Sequence, residues 1–380
     1  MVREPAYPAA RSVAPKLEEY FARHGREARE RGETGLAPVP DAATIEAVID
    51  AAFWASLLRE EGYETRISLA LVSPDEVMQP LRFERALSLE ASKLTKVAPA
   101  VERAGIHLGV WRDGGELRVW GTTRALPPLC FVLEVAAPGL LVIKHHRGEE
   151  LGKFLNVAVL EGDQIKLVDE HASSLPDCPD LLTSLLGFES PASWVDSVNV
   201  LVQLAVSMRG HGRGGSLLVV PPDSETWRES VVQPVPYAVA PAFSELAQLL
   251  SEEPDDQRLH RWQEALTRAV DSIAGLTAVD GAAVMTRNHE LLGFGAKIAR
   301  RKKWPQVEEV MVTEPIEGGV AARVRPEQLG GTRHLSAAQF VHDQRDSIAL
   351  VASQDGRFTV FAWSPCEEMV HAHRVETLLL

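Results

Sequence analysis

Hydrophobic residues recur along this chain with two different periods, and the change of period divides it into two parts. From residue 67 to about residue 168, short apolar runs flank turn residues such as Asp113-Gly114, a pattern typical of β-hairpins. After about residue 190, apolar residues step by three and four in segments that end near Met208 and Ile273, which predicts helices lying between strands. We therefore expect an α+β, hairpin-rich N-terminal domain over residues 1–186, followed by an α/β domain over residues 187–380 with a mixed sheet flanked by helices.

The start of the chain predicts little packed structure. Residues 1–40 are rich in proline, alanine and charge, so the sequence indicates an arm with at most a short helix. From Asp41, which can cap a helix, apolar residues follow a helical face, and Gly62 can end that helix. A strand over residues 67–72 and a helix over residues 91–103 are predicted next.

Three hairpins follow in the N-terminal half, with turns at Asp113-Gly114-Gly115, Pro138-Gly139 and Glu161-Gly162-Asp163. The most apolar stretch, residues 126–144, is interrupted by Glu134 and Pro138, so it predicts two buried strands rather than a membrane helix. The turn-rich segment 171–180 suits a domain boundary.

Composition excludes several classes of protein. The 380 residues include 53 acidic and 39 basic side chains, and the formal charge of -14 argues against broad binding to nucleic acids or anionic membranes. Cys130, Cys178 and Cys366 are widely separated and form no disulfide or zinc pattern. The first residues do not resemble a signal peptide, so we expect a cytoplasmic protein without a membrane partner.

The glycine-rich run GHGRGG at residues 210–215 satisfies the dinucleotide-binding pattern but lies in the wrong context. A helix precedes it and a strand follows it, whereas a dinucleotide fingerprint follows a strand and opens a helix. We interpret the run as a turn from helix to strand.

Two other motifs carry polar groups suited to phosphate chemistry. Asp280-Gly281-Ala282 stands at a predicted strand edge, where the carboxylate can hold a divalent cation, although such pairs more often mark turns. GGTRHLSAA, residues 330–338, combines an arginine, a histidine and a predicted helix start, which favours phosphate binding. A surface helix capped by Thr332 explains the same residues equally well.

The order of these motifs resembles a known family. Asp280-Gly281-Ala282, then Gly331-Thr332-Arg333-His334, then LVASQDGRFTVF are similar to the DGA and GTRHR signatures of the diadenylate cyclase (DAC) domain, over nearly all of residues 190–380. The helix that leads into GGSLLVVP is similar to the entry of that domain. The N-terminal half looks like DACNV, a sensor-type domain that occurs ahead of such cyclase domains.

The resemblance implies an activity and a set of residues. Such domains join two ATP molecules into cyclic di-AMP with release of pyrophosphate, across a face-to-face homodimer. Asp280 would hold Mg²⁺ or Mn²⁺ and help activate the attacking hydroxyl, so Asp280, Arg333 and His334 would be the catalytic residues. The nucleotide would also be bound by the following residues: Gly281, Ala282, Ile298, Gly331, Thr332, Ser353 and Gln354. An unknown small-molecule or protein signal would act on the N-terminal domain.

Three departures from the family pattern bear on turnover. Leu335 replaces the last arginine of GTRHR, and Val279 replaces a histidine that precedes DGA in some members. The segment before GGTRH is long and carries a basic run at residues 300–303, which we interpret as a solvated loop.

Other interpretations stay open at this stage. His145-His146 and His371-Ala372-His373 have no third metal ligand nearby in the sequence, so we interpret them as surface or edge histidines. A nucleotide or cyclic-dinucleotide sensor without activity is the main alternative to a cyclase. A pure interaction protein is a third, and it would leave Asp280, Arg333 and His334 without a common purpose.

Overall fold

The computed structural model describes residues 6–103, 105–146, 154–169, 200–252 and 259–380. It divides into two compact units, one from Met1 to Val168 with Leu380, and one from Asp169 to Leu379. The predicted boundary at residue 186, the turn-rich segment 171–180 and the predicted start of the first C-terminal helix lie outside the described residues.

Within the described residues, the N-terminal unit consists of three helices and a large sheet. Its helices are α1 (Pro8–Glu30), α2 (Ala42–Ser56) and α3 (Ala91–Val97), the last continued by a 3-10 turn (Ala98–Ala100). Its strands are β1 (Arg59–Glu60), β2 (Tyr63–Glu64), β3 (Ser68–Leu71), β4 (Leu81–Ser88), β5 (His107–Asp113), β6 (Glu116–Thr123), β7 (Phe131–Ala137), β8 (Leu140–His146), β9 (Phe154–Glu161) and β10 (Gln164–Leu167).

Strands β1 and β2 form a small hairpin, and the others form one eight-stranded sheet in the order β10-β9-β8-β7-β3-β5-β6-β4. The three predicted hairpins are present as β5–β6, β7–β8 and β9–β10, and the apolar stretch around Pro138 forms two strands as predicted. The pairing of β3 with β5 is parallel. The unit is therefore rich in hairpins and mixes helices with a sheet, as the sequence predicts.

The prediction of an N-terminal arm is wrong. Residues 8–30 form a helix of 23 residues that packs into the core of the unit. Ala10, Val13, Leu17 and Phe21 lie on one buried stripe at spacings of three and four. Small alanines complete that stripe, so counting large apolar residues alone underestimated the helix.

The second helix begins as predicted and ends earlier. The Asp41 carboxylate accepts a hydrogen bond from the Thr44 backbone N–H at 2.7 Å, which caps α2. The helix stops at Ser56, and Gly62 instead lies in the turn between β1 and β2, where its positive φ is needed. The helix predicted over residues 91–103 is also shorter.

The C-terminal unit has a nine-stranded mixed sheet flanked by helices. In the described part of this unit, the helices are α4 (Val200–Gly210), α5 (Glu245–Ser251), α6 (Leu259–Leu276) and α7 (Thr332–Asp343), with 3-10 turns at Thr226–Ser230, Pro326–Gln328 and Glu376–Leu378. Its strands are β11 (Gly215–Val220), β12 (Tyr237–Phe243), β13 (Ala282–Thr286), β14 (Leu291–Ala296), β15 (Val310–Thr313), β16 (Ala322–Val324), β17 (Ile348–Ala352), β18 (Phe358–Ser364) and β19 (Met369–Arg374).

The strand order in this sheet is β12-β14-β13-β11-β17-β18-β19-β15-β16. Strand β11 pairs in parallel with β13 and antiparallel with β17, so the centre of the sheet is mixed. Helix α7 packs on one face, where Phe340 and Val341 join Leu218, Val351 and Phe361 in a single core. The predicted sheet and helices are present, and strands β12, β15, β16 and β19 add to them.

Both histidine pairs lie in the interior, which contradicts their interpretation as surface or edge residues. His145 and His146 on β8 are 5% and 9% exposed, and His371 and His373 on β19 are 1% and 0% exposed. The Thr313 hydroxyl lies 2.7 Å from Nδ1 of His373. The lack of a third metal ligand does not require these side chains to be exposed, because a neutral imidazole can pack in a sheet core.

None of the helices in the described part of the chain is both long enough and apolar enough to cross a membrane.

Candidate functional site

The predicted site residues come together at one place in the C-terminal unit. A cavity of about 550 Å³ is lined by all ten of them: Asp280, Gly281, Ala282, Ile298, Gly331, Thr332, Arg333, His334, Ser353 and Gln354. They come from three motifs and from Ile298, which are spread over more than seventy positions in the sequence. The volume falls within the range of roughly 300–1,000 Å³ that is usual for small-molecule sites.

The DGA motif forms a tight backbone corner where β13 begins. Gly281 has a φ of 105°, and a Cβ placed on it would lie 2.5 Å from the carbonyl carbon of Gly295. Only glycine fits there without moving the backbone of β14. The corner therefore brings the peptide backbone of residues 280–282 to the edge of the cavity.

Asp280 presents its carboxylate openly at the cavity mouth. Its side chain is 90% exposed, and the Lys297 ammonium lies 3.6 Å away as its ion-pair partner. Asp280 is the one carboxylate among the described residues that line the cavity. Within the described residues, no group of three or more His, Cys, Asp or Glu side chains is placed to hold a metal ion.

A single exposed carboxylate fits one mode of metal binding. Mg²⁺ often keeps several waters and is bound through one or two carboxylates together with substrate phosphates. Asp280 supplies such a carboxylate beside a cavity that also contains a cationic helix start. The donor set therefore fits a cation that arrives with a polyphosphate and does not fit a closed all-protein site.

Helix α7 begins at the cavity without a capping side chain. Gly331 occupies the N-cap position, and no side chain accepts a hydrogen bond from the first turn. The alternative of a helix capped by Thr332 is therefore wrong, because Thr332 is already inside the helix. Backbone N–H groups at such an end attract anions.

Arg333 reaches back from α7 toward the loop before β11. Its guanidinium nitrogen lies 3.1 Å from the place where Gly214 would carry a Cβ. The GHGRGG run is the turn from α4 to β11 that the sequence predicts, and Gly214 within it makes room for this arginine. Gln354 donates a hydrogen bond to the carbonyl of Arg213 at 3.3 Å, which joins the same loop to the end of β17.

His334 lies beneath the helix start. The side chain is 3% exposed, its ring faces Phe361 edge-on with 6.1 Å between ring centroids, and a Cβ on Gly330 would collide with it. Burial lowers the pKa of His334 below the usual value for histidine, although Asp355 acts in the opposite direction. The imidazole is therefore neutral near pH 7.

The structure shows where two departures from the family pattern lie, namely Leu335 and the basic run at residues 300–303. Leu335 is half-buried and packs against the apolar core beside α7, and it does not line the cavity. In the basic run, Arg300, Lys302 and Lys303 are exposed as expected for a solvated loop. Arg301 differs, because it pairs with Glu229 at 2.7 Å and its backbone N–H donates to Asp343.

Five further residues line the cavity and were not singled out from the sequence: Ser216, Ala296, Lys297, Ser336 and Ala352. Four of them stand within two residues of a predicted site residue in the chain. Ser216 does not, and only the motif GGSLLVVP around it drew attention to this strand. The parallel pairing of β11 with β13 brings it to the site.

The N-terminal unit has a cavity of its own, of about 510 Å³. Glutamates dominate its rim, at positions 60, 61, 64 and 102, together with Arg66 and Lys96. Thr65 and Thr95 form its buried wall, and the exposed Tyr63 stands at its edge.

Comparison with known proteins bears on the N-terminal unit. Among curated proteins, none matches the chain. Residues 34–124, which span α2 to β6, match the family model described as "Probable sensor domain DACNV", a domain that is found in diadenylate cyclase proteins.

Proposed function

We propose that the C-terminal unit is a diadenylate cyclase domain that joins two ATP molecules into cyclic di-AMP and two pyrophosphates under control of the N-terminal sensor domain. The observation that carries the proposal is the convergence of three separate motifs, with Ile298, on one cavity. The DACNV match in the same chain supports it, because that domain accompanies diadenylate cyclases.

The cavity offers different chemistry at its two ends. The α7 start with Thr332 and Arg333 would hold the phosphates, since free backbone N–H groups and a guanidinium both bind phosphate oxygens. Ile298 and the backbone at Gly281 would hold the adenine. Ser353 and Gln354 would close the phosphate side.

His334 and Asp280 would act on the reacting phosphate. The neutral imidazole of His334 would donate one hydrogen bond to a phosphate oxygen. Asp280 would hold Mg²⁺ or Mn²⁺ and would have to leave its ion pair with Lys297 to do so. When bound, such an ion neutralises phosphate charge and polarises the phosphoryl group.

The reaction needs two copies of the cavity. The 3′-hydroxyl of each nucleotide loses its proton to water as its oxygen forms a bond to the α-phosphorus of the other nucleotide, while the bond from that phosphorus to the oxygen of the β-phosphate breaks and pyrophosphate leaves. One cavity would hold one ATP, so two copies of the chain would face each other and supply the orientation that speeds the reaction. A homodimer or higher homo-oligomer is therefore part of the proposal.

A second candidate is a nucleotide or cyclic-dinucleotide sensor on the same fold that does not turn over. Leu335 motivates it, because the family pattern has an arginine, a possible phosphate contact, at this position, although Leu335 packs on the core and does not line the cavity. The single carboxylate among the described cavity residues favours it as well.

Incubation of the purified full-length chain with ATP and Mn²⁺ or Mg²⁺, followed by mass spectrometry, separates these functions. Asp280→Asn removes the carboxylate at constant size, and Asp223→Asn at an exposed position is the matched control. Cyclic di-AMP from wild type and the control alone supports a cyclase. Tight ATP binding without product supports the sensor, and the absence of any nucleotide binding contradicts both.

A further inference from the structure

Ser216 is a buried polar residue whose hydroxyl faces the cavity. The residue is 3% exposed and belongs to the cavity lining. Its hydroxyl makes no hydrogen bond to any side chain or backbone group in the part of the chain that the structure describes. A buried hydroxyl usually has such a partner, so this one is available to a ligand.

The surroundings of Ser216 form a floor of small side chains. Leu217 is in register with Ala283, which places Ser216 beside Ala282, and Ala282 pairs with Ala296 on the next strand. All three residues face α7, because Leu218 and Val284, two positions further along their strands, lie in the core beneath that helix. Ser216 contributes the polar side chain of this otherwise apolar row.

The position of Ser216 along the row indicates what it would contact. Ser216 lies between Ala282 on β13 and Val351 on β17, and Arg333 approaches Gly214 only two residues away in the chain. The opposite end of the row leads to Ala296 and Ile298 on the apolar side of the cavity. Among the three small residues, Ser216 is therefore the one nearest along the chain to the loop that Arg333 approaches.

We propose that Ser216 is a phosphate-binding residue whose hydroxyl donates a hydrogen bond to the phosphate chain of the bound nucleotide. The inference rests on the proposed nucleotide function and adds a residue outside its three motifs. A nucleotide that enters the cavity displaces water from the hydroxyl, so affinity is kept only if a ligand acceptor replaces that water. Phosphate oxygens are acceptors only and match a hydroxyl donor.

Affinity for a non-hydrolysable ATP analogue, measured by calorimetry with Mn²⁺, tests the proposal. Ser216→Ala should weaken binding by about tenfold, the effect of losing one hydrogen bond to a charged group. Ser347→Ala is the matched control, because Ser347 is equally buried in the same unit and lies outside the cavity lining. It should bind within twofold of wild type.

The melting temperature without nucleotide distinguishes binding from a structural role. Removal of a hydroxyl that has no protein partner should leave that temperature unchanged or higher, while the nucleotide-induced rise becomes smaller. A lower melting temperature together with unchanged affinity would overturn the proposal. Ser216→Cys keeps nearly the same volume and provides a second variant with a weak donor, for which an intermediate affinity is expected.

Competition by inorganic tripolyphosphate tests the assignment to phosphate. Ser216→Ala should weaken this competition by a similar factor, because the competitor has no base or ribose. Unchanged competition, or no competition in wild type, would overturn the assignment. If wild type fails to bind the ATP analogue, the proposed function fails; if wild type binds and Ser216→Ala binds equally well, only the inference about Ser216 fails.

Discussion

In both units a glycine without a side chain allows a neighbouring group to approach the backbone closely, but the neighbouring group differs between the units. In the N-terminal unit, Gly109 leaves room for the Trp120 indole, whose Nε1 donates to the Val72 carbonyl at 2.8 Å. In the C-terminal unit, Gly281 lets the backbone of β13 meet Gly295 at the rim of a cavity. The Trp120 side chain fills the space beside Gly109, whereas the close approach at Gly281 shapes the rim of an open cavity.

The largest expected effect comes from Gly281→Ala. Its Cβ would collide with backbone atoms, and its φ of 105° disfavours any residue with a side chain. We expect a loss of roughly 3 kcal/mol or more in the free energy of unfolding of the C-terminal unit, with loss of nucleotide binding. Denaturant titration and calorimetry measure both, and an unchanged unfolding midpoint would contradict the geometry.

Acid should destabilise both units through one buried histidine in each. Burial lowers the pKa of His107 to about 4 and that of His373 to about 3, against about 6.5 in an unfolded chain. As the pH falls, the histidine of the unfolded chain is therefore protonated before that of the folded protein. The contribution of each neutral histidine to the stability of its unit is full above pH 6.5 and is lost as the pH falls toward the pKa in the folded state. For each histidine, the free energy of unfolding of its unit should fall by about 2 kcal/mol as the pH is lowered from 6.5 to 5.

Unfolding measured across that pH range shows which unit responds to which histidine. His107→Asn should flatten the acid slope of the N-terminal unit, and His373→Asn that of the C-terminal unit. His260 is exposed beside Glu264, so His260→Asn is the control and should leave both slopes unchanged. Equal slopes in all variants would show that neither buried histidine controls acid stability.

Gly109→Ala tests the filled glycine space and should have a smaller effect than Gly281→Ala. The new Cβ would meet the Trp120 ring, a side chain that can shift, rather than backbone. Overpacking of this kind should cost about 1–3 kcal/mol in the N-terminal unit and change its tryptophan fluorescence. Nucleotide affinity should stay within twofold of wild type, and a loss of affinity would show that the glycine space in the N-terminal unit also affects the cavity of the C-terminal unit.

The sequence predicted those parts of the fold whose pattern is local. Hairpins with Asp-Gly or Pro-Gly turns were identified because the turn and its two strands are adjacent in the chain. Strand β15 was missed because it pairs in parallel with β19, some sixty residues later, and is only four residues long. Helix α1 was predicted only as a short helix in an arm, because alanines supply much of its buried stripe.

The candidate site was predictable where motifs contain unusual residues and not where strands merely pass beneath it. Residue chemistry identified Asp280 and Arg333 as candidates, the family resemblance joined them in one predicted site, and the structure places both at one cavity. The sequence around Ser216 predicts only a strand, and the register of β11 with β13 is what brings the residue to the cavity floor. The local sequence likewise does not predict that His371 is buried, because its burial depends on which elements pack over the sheet.

The smallest expected effect on nucleotide affinity is that of a substitution at Leu335, which faces the core, in contrast to Arg333, which lies two residues earlier on α7 and lines the cavity. Leu335 packs against the core and does not line the cavity, so Leu335→Arg should change nucleotide affinity by no more than about twofold. The arginine stem would have to replace apolar contacts while its charge turns to solvent, at a cost of about 1 kcal/mol in stability. Arg333→Ala is the contrasting variant and should weaken binding at least about tenfold. A gain of more than fivefold in affinity from Leu335→Arg would show that position 335 reaches the ligand, and the departure from the family pattern would then favour the inactive sensor over the cyclase.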